Sequence, residues 1–348
     1  MRIIIDIGHP GHVHFYKNFY WEMKKLGHEI LVTACDKEVT IDLLKAYNIP
    51  FVYSCKKYKG LKMAYELLYR DNHLYQLTKK FKPDFLTGVG GTYAAHVSKL
   101  TGVKSIIFYD TEHAKFANQI TYPFADLIVT PECYTNDLGP KQVRYNGYHE
   151  IAYLHPKYFS PDPSVLKELG LSENERLILL RFVSWGATHD VGQAGIKDKK
   201  SLVQELAKYG RVLITSEEKL DTDLEKYKIK ISPEKLHHLL YYATLYIGEG
   251  ATTASECAVL GTPAIYTNSL KLGYLDEEEK KYGLVYNFSN KATIKEDAYK
   301  RALELLQDDN LKASAKQKVE KMLKEKIDVT EFMIKLFMDQ YRSKQKRN

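Results

Sequence analysis

Short apolar strands alternate with amphipathic helices along this chain, and this alternation constrains the fold more than any other feature of the sequence. In the first half, strand patterns such as Ile3–Ile7 and "VKSIIFYD" are each followed by a helical pattern. Strands that are apolar on both faces and joined through helices form parallel sheets covered on both sides. The sequence therefore predicts the α/β class, with doubly wound parallel sheets.

A polar stretch with two prolines, "YFSPDPSVLKELGLSENE", interrupts the alternation near residue 158. Strand patterns resume after it with "RLILLRFVS", "TLYIGEG" and "TPAIYT", separated by helical stretches. A chain of 348 residues is long enough for two domains of ordinary size. We therefore predict one domain over residues 1–158 and a second over residues 159–326, with a helix and a basic tail in residues 327–348.

Charge and cysteine content exclude several classes of protein. The formal net charge is +7, but the last nine residues, "QYRSKQKRN", carry four positive charges and no negative ones. The remainder is close to balanced, which argues against a nucleic-acid partner. The four cysteines show no CxxC or metal-ligand spacing, as expected in a reducing cytosol. Asp6 breaks the first apolar run, so no signal peptide is predicted, and we expect a cytoplasmic protein.

Three strand ends carry glycine immediately before a helical pattern. In open α/β sheets, ligands bind at the carboxyl ends of strands, where glycine lets backbone approach closely and a helix N-terminus offers N–H groups to phosphate. A single loop of this kind is equally explained by a tight turn, but three together favour a nucleotide in a cleft between the domains. The spacing fits neither the P-loop GxxxxGK(S/T) nor the dinucleotide GxGxxG pattern. The glycines are Gly8, Gly11, Gly88, Gly90, Gly91, Gly248 and Gly250.

The segment "LYIGEGATTASECAVLG" carries the strongest of these signals. A strand and a glycine turn lead into a helix that starts with small and hydroxyl residues, and Glu256 lies about one turn inside it. A carboxylate in this place is suited to accept hydrogen bonds from the two hydroxyls of a ribose. The alternative is a glutamate that only interacts with the dipole at the start of the helix.

These segments resemble a known group of enzymes. "GEGATTASECAVLGTPAI" resembles the donor motif of GT-B glycosyltransferases such as the one that makes lipid II, and "GHPGHVHF" resembles the histidine loop after their first strand. With "RFVSWGATHDVGQAG" and "IDVTEF", nearly the whole chain is similar to the DUF354 family, a relative of these transferases and of UDP-GlcNAc 2-epimerases. The resemblance implies a GT-B fold, with two Rossmann-like domains facing a central cleft and the last helix crossing back to the first domain.

The resemblance also implies roles for single residues. His12, in the histidine loop, and Asp110, Glu112 and His113, in "FYDTEHAK", are expected to carry the proton transfer. The alternatives are a helix-capping histidine for His12 and a solvated loop tip for the other three. The residues expected to bind the nucleotide sugar are Gly11, Arg181, Ser184, His189, Gly248, Gly250, Ala251, Thr252, Thr253 and Glu256. For Arg181, an ordinary ion pair at a strand end is an equal alternative.

The function implied is transfer of a sugar from a nucleotide donor to a glycan or lipid-linked acceptor, and UDP is the expected nucleotide. A UDP-sugar 2-epimerase or hydrolase is the alternative, and a non-catalytic nucleotide-sugar binder is a third. In the epimerases, a catalytic glutamate aligns with Glu112 and a catalytic histidine with His189. Their acidic "GDT" residue is replaced here by Gly91, which counts against epimerase chemistry. No cofactor is predicted, because the nucleotide sugar is itself the substrate. No metal site is predicted either, because no DxD motif lies near a strand end in a metal-binding context.

A basic amphipathic stretch, "CKKYKGLKMAYELLYR", mixes lysine with leucine and tyrosine. A face of this kind is suited to contact anionic lipid, so peripheral contact with the inner face of the membrane is an expectation. Ordinary use of these residues in the core and on the surface is the alternative.

Overall fold

The computed structural model describes residues 1–56, 62–182, 199–216, 220–290 and 292–346. Over these residues the chain forms two units, Met1–Tyr153 with Ile327–Asn348 and Leu154–Lys326. The first unit contains a seven-stranded sheet and the second a five-stranded sheet, in which every pair of neighbouring strands is parallel. The predicted pair of Rossmann-like α/β domains is therefore confirmed.

The strands are short and mostly buried, as the apolar patterns predict. They are β1 Arg2–Ile7, β2 Glu29–Asp36, β3 Val52–Lys56, β4 Phe85–Val89, β5 Lys104–Phe108, β6 Leu127–Pro131, β7 Gln142–Tyr145, β8 Leu177–Phe182, β9 Arg211–Ser216, β10 Leu245–Gly248, β11 Ala264–Thr267 and β12 Val285–Phe288.

Helices connect most pairs of successive strands, whereas a 3₁₀ turn lies between β6 and β7. They are α1 Pro10–Lys25, α2 Thr40–Ala46, α3 Lys62–Phe81, α4 Thr92–Thr101, α5 Lys115–Thr121, α6 Ile151–Leu154, α7 Ser164–Glu168, α8 Lys199–Leu206, α9 Thr222–Glu225, α10 Leu236–Tyr242, α11 Ala251–Leu260, α12 Gly273–Glu277, α13 Ile294–Leu306, α14 Leu311–Glu325 and α15 Val329–Gln345. Short 3₁₀ turns occupy Gly139–Lys141 and Pro233–Lys235, and a π-helical turn occupies Glu278–Tyr282.

The sheet of the first unit has the strand order β3-β2-β1-β4-β5-β6-β7. The chain builds outwards from β1 in one direction and then starts again on its other side with β4. Such a reversal opens a crevice at the carboxyl ends of the two central strands, and ligands of open α/β sheets bind there. The turn from β1 into α1 carries Gly8 to His12, and the end of β4 with the turn after it carries Gly88 to Gly91, so both predicted glycine segments flank this reversal.

The last helix, α15, packs on the first unit. Phe337 lies in its buried face, and its ring centroid is 5.0 Å from that of Phe19 in α1 and 5.5 Å from that of Phe85 in β4. Asp328 caps the helix by accepting a hydrogen bond from the backbone N–H of Glu331 at 3.0 Å, a stabilising arrangement for the first turn. Residues Ile327–Asn348 therefore return to the sheet with which the chain begins.

The smaller sheet of the second unit also contains a reversal of strand order, since its strands follow the order β12-β11-β10-β8-β9. Here the reversal lies between β8 and β10. Arg181 near the end of β8 is the register partner of Gly248 at the end of β10. The apolar core below this edge is formed by strand residues such as Leu180 and Ile247 with Ala302 of α13, all at most 1% exposed. The sheet therefore presents Arg181 and the glycine turn side by side at its reversal point.

Candidate functional site

Two histidines organise the loop after β1. His9 has an extended backbone at the N-cap of α1, and its Nδ1 accepts a hydrogen bond from the backbone N–H of Gly11 at 3.1 Å. His12 lies one turn further, and its Nδ1 accepts from the backbone N–H of Gly8 at 3.4 Å. Because a backbone N–H can only donate, Nδ1 is the unprotonated nitrogen of both rings.

His12 is held in its neutral form. Burial lowers its pKa well below the usual range, and the neighbouring His9 and Lys37 lower it further, whereas Asp110 opposes this change. A neutral imidazole whose Nδ1 accepts a hydrogen bond carries its proton on Nε2. His12 is therefore arranged to donate a hydrogen bond from Nε2.

Asp110 follows β5 and pairs with His149, a residue that the sequence motifs do not single out. Its Oδ2 lies 3.0 Å from Nδ1 of His149, and its Oδ1 accepts from the hydroxyl of Thr111 at 2.9 Å. Burial alone would raise the pKa of Asp110, but His149 and the hydroxyl of Thr111 outweigh it and lower the pKa to about 2. Asp110 is therefore an anion at neutral pH, bonded to the imidazole of His149.

His149 is enclosed by aromatic side chains. The ring centroid of Phe15 is 4.4 Å from that of His149, and the ring of Tyr145 stacks parallel to it at 6.4 Å. The residue is 6% exposed, and within the described part of the chain its Nε2 is buried and has no hydrogen-bond partner. A buried polar atom left without a partner is uncommon and calls for an explanation.

Glu112 and His113 lie in the same loop as Asp110, and both are half-buried. Oε1 of Glu112 accepts a hydrogen bond from the backbone N–H of Thr135 at 3.3 Å. Burial raises the pKa of Tyr134, and the carboxylate of Glu112 adds to this rise. Of the four residues predicted for proton transfer, His12 and Asp110 thus influence each other's pKa, whereas Glu112 accepts a hydrogen bond from the backbone of Thr135.

The loop after β4 is shaped by glycine. Gly91 has φ +35°, and a Cβ atom added to it would lie 2.6 Å from Cδ1 of Ile107 and 3.2 Å from the carbonyl oxygen of Gly88. Ile107 is fully buried in the centre of the sheet, so it has little freedom to move. A side chain at position 91 is therefore excluded twice, by the left-handed backbone and by the packing.

We expect Gly91→Ala to lower the free energy of unfolding by about 2–4 kcal/mol, the sum of left-handed strain and overpacking. Gly102→Ala is the matched control, because Gly102 has φ +73° but an added Cβ would meet nothing within 4 Å. Gly102→Ala should lose only about 1 kcal/mol of stability, because it introduces the backbone strain without the overpacking. Urea denaturation of both variants measures the difference, and equal losses would contradict the packing argument.

The corresponding edge of the second unit also depends on glycine. A Cβ atom on Gly248 would lie 2.2 Å from the hydroxyl oxygen of Tyr246, so only glycine fits between β10 and the turn. Gly250 is the N-cap residue of α11 and provides no side-chain cap, and Ala251 and Thr252 follow at the start of the helix. Burial raises the pKa of Tyr246 well above its usual range, and the charge of Arg181 opposes this rise.

Glu256 lies in the second turn of α11 and is almost fully buried. Its Oε1 is 2.8 Å from Nε2 of His237 in α10, and the two side chains are 6% and 3% exposed. Thr253, one turn before it, is also buried, whereas Thr252 is exposed. The carboxylate is thus held in place by a neighbouring helix, below the glycine turn of the same unit.

Comparison with known proteins agrees with this architecture. The family model described as "Protein of unknown function (DUF354)" matches residues 1–339. The chain belongs to the DUF354 family. This DUF354 protein is 24% identical over 281 residues to the "Uncharacterized protein MJ0665" of Methanocaldococcus jannaschii. The alignment covers 76% of this chain and 81% of the relative.

Two kinds of solved enzyme share the fold of this DUF354 protein. The UDP-GlcNAc 2-epimerase of Neisseria meningitidis, bound to UDP-GlcNAc, superposes with a TM-score of 0.62 at 14% identity, over 93% of this chain and 100% of the epimerase. The Streptomyces sp. SF2575 glycosyltransferase SsfS6, complexed with thymidine diphosphate, gives 0.64 at 13% identity, over 96% and 99% of the two chains. The fold is therefore that of GT-B glycosyltransferases and UDP-GlcNAc 2-epimerases, as the sequence predicts.

The predicted nucleotide-sugar residues of the DUF354 protein fall into three groups. Gly11 lies in the first turn of α1 on the first unit. Ser184 and His189 lie outside the described residues, so their predicted roles stay predictions. The others meet at the carboxyl edge of the second sheet and at the start of α11: Arg181, Gly248, Gly250, Ala251, Thr252, Thr253 and Glu256.

Among the helices in the described part of the chain, none combines the length and the apolar character that crossing a bilayer requires. In the stretch predicted to contact lipid, residues 57–61 lie outside the described residues, and Leu68 of α3 is 71% exposed.

Proposed function

We propose that this protein is a glycosyltransferase that takes a sugar from a nucleotide donor, UDP in the first place. The observation that carries the proposal is the edge of the second sheet, where the glycine turn Gly248 to Gly250, the start of α11 and Arg181 meet at the strand reversal. Backbone N–H groups at a helix N-terminus and a guanidinium are both suited to bind a diphosphate. Glu256, buried in α11, is the residue proposed for the ribose.

The acceptor is proposed to bind at the edge of the first sheet. This edge brings together an imidazole that donates, an anionic carboxylate and a second imidazole, in the residues His12, Asp110 and His149. Such groups are needed to bind a hydroxyl and to move its proton. A glycan or a lipid-linked acceptor fits this chemistry, because both offer hydroxyl groups.

Epimerization at C2 of the sugar is the alternative, because a UDP-GlcNAc 2-epimerase shares the fold. The conformation of Gly91 favours transfer. The left-handed backbone and the packing against Ile107 leave no place for the acid that the epimerases are expected to carry at this position. The proposal uses no metal ion and no prosthetic group.

Incubation with UDP-GlcNAc in D₂O separates the two reactions. A transferase without its acceptor should release UDP slowly, by transfer to water, and leave the proton at C2 of the remaining donor in place. Adding a lipid or glycan extract should accelerate UDP release and move labelled sugar into the extract. Deuterium at C2, read by NMR, would instead establish the epimerase reaction, and the other UDP-, GDP-, CMP- and dTDP-sugars are tested in the same way.

A further inference from the structure

His12 and His149 are different tautomers: they carry the ring proton on different nitrogen atoms. Nδ1 of His12 accepts a hydrogen bond from a backbone N–H, so the proton of the neutral ring is on Nε2. Nδ1 of His149 faces the carboxylate of Asp110 at 3.0 Å, and a carboxylate can only accept, so the proton is on Nδ1. His12 therefore offers a donor, and His149 in its neutral form offers a lone pair on Nε2.

A second Asp–His pair in the same unit shows what a purely structural arrangement looks like. Nδ1 of His96 lies 2.9 Å from Oδ2 of Asp71, and its Nε2 lies 2.7 Å from the carbonyl oxygen of Ile120. Both nitrogens of His96 are thus used within the fold. His149 differs in that one nitrogen bonds Asp110 and the other, although buried, has no partner in the described part of the chain.

The surroundings of His149 are suited to a reaction that must exclude water. Phe15 and Tyr145 cover its ring, and the hydroxyl of Tyr145 is itself a buried polar atom without a partner among the described residues. Asp110 is 18% exposed at its side chain, so the pair lies at the boundary between the interior and the sheet edge. Nε2 of His149 is shielded from solvent, and a base that is kept from water favours transfer to an acceptor over hydrolysis of the donor.

We propose that His149 is the base that deprotonates the acceptor, and that Asp110 is its positioning residue. This rests on the proposed glycosyltransferase function. In the step, the proton of the acceptor hydroxyl passes to Nε2 of His149 while the hydroxyl oxygen forms a bond to C1 of the donor sugar. The bond from C1 to the phosphate oxygen breaks, and its electron pair leaves with the nucleoside diphosphate. His12 has no free lone pair on its ring, so it donates a hydrogen bond instead.

The tautomers can be measured without any substrate. In ¹⁵N-labelled protein at neutral pH, two-dimensional NMR of the histidine rings should show His149 protonated on Nδ1 and His12 protonated on Nε2, with assignments from single His→Gln variants. Asp110→Asn should change the spectrum of His149, because the amide no longer requires a donor on Nδ1. A neutral His149 ring protonated on Nε2 would overturn the proposal.

Turnover provides the second test, with the nucleotide sugar that the parent protein consumes fastest. His149→Gln should lower the rate by about 10²- to 10⁴-fold with nucleotide affinity little changed, and added imidazole should restore part of the rate in His149→Ala. Asp110→Asn should lower the rate as well, while His96→Gln, the matched control, should not. If the parent is active and His149→Gln is equally fast, this inference alone is wrong. A parent that consumes no nucleotide sugar overturns the proposed function, and this inference with it.

Discussion

Glu256→Ala is expected to weaken UDP binding by about 10- to 150-fold, which corresponds to the loss of a hydrogen bond to a charged group, about 1.5–3 kcal/mol. The carboxylate is buried in α11, below the glycine turn, and His237 fixes one of its oxygens at 2.8 Å. A preorganised carboxylate loses little entropy when it accepts a ribose hydroxyl, so most of the bond energy appears in the affinity. Isothermal titration calorimetry with UDP measures the change.

The competing explanation is that Glu256 only stabilises α10 against α11 through His237. His237→Asn is the control, because it removes the imidazole and keeps the carboxylate. If the role is structural, both variants should lose stability and both should bind UDP as the parent does. If Glu256 binds the ribose, its removal should cost more affinity for UDP than for 2′-deoxy-UDP, since the deoxynucleotide lacks one of the two hydroxyls.

Glu278→Gln is expected to stabilise the protein at pH 7 by about 2–3 kcal/mol. Glu278 is fully buried in the π-helical turn, where Ser255 donates a hydrogen bond to its Oε1 at 2.6 Å. Burial raises its pKa to about 8 from 4.5, with the bond from Ser255 opposing this rise. At neutral pH, Glu278 therefore binds a proton in the folded state that it releases in the unfolded chain, and taking up this proton costs folding free energy. The uncharged amide of Gln at this position removes that cost.

The dependence of stability on pH follows from the pKa of Glu278 in the folded and in the unfolded state. Below about pH 4.5 the group is protonated in both states and costs nothing, and stability then falls as the pH rises from 4.5 to 8. The gain from Glu278→Gln should accordingly vanish at pH 4 and be largest above pH 8. Glu320→Gln, at an exposed position of α14, is the control and should leave the curve unchanged. A gain that does not depend on pH would contradict the assigned pKa.

The fold could be predicted from the sequence because strands and helices each have a recognisable pattern of apolar residues within a few positions. Apolar strands such as Ile3–Ile7 predict the fold class, and glycines at strand ends such as Gly248 indicate the candidate edge, since parallel strands place their carboxyl ends together. His12 and Asp110 could be expected near each other for this reason. These inferences need only the strand order and the identity of the residues that follow each strand.

Pairings made by folded segments could not be predicted in this way. His149 follows β7, at the edge of the sheet, and nothing in "YNGYHE" shows that its ring returns to Asp110 beyond β5. A histidine just after a strand and a glycine was the available signal. Glu278 lies in "DEEEKK", a charge run typical of a solvated surface, but the π-helical turn directs it inwards. The partner of Glu256 depends on how α10 packs against α11, which periodicity does not contain.

Binding of a nucleotide sugar at the edge of the second sheet can be tested by thermal unfolding in the presence of ligand. UDP, and UDP-, GDP-, CMP- and dTDP-sugars, are added one at a time to the full chain. At a concentration 100-fold above its dissociation constant, the cognate ligand should stabilise the folded state by about 2.7 kcal/mol. We expect this shift with UDP or a UDP-sugar, and a smaller shift in Glu256→Ala. An unchanged unfolding temperature with every one of these ligands would show that this edge does not bind a nucleotide sugar.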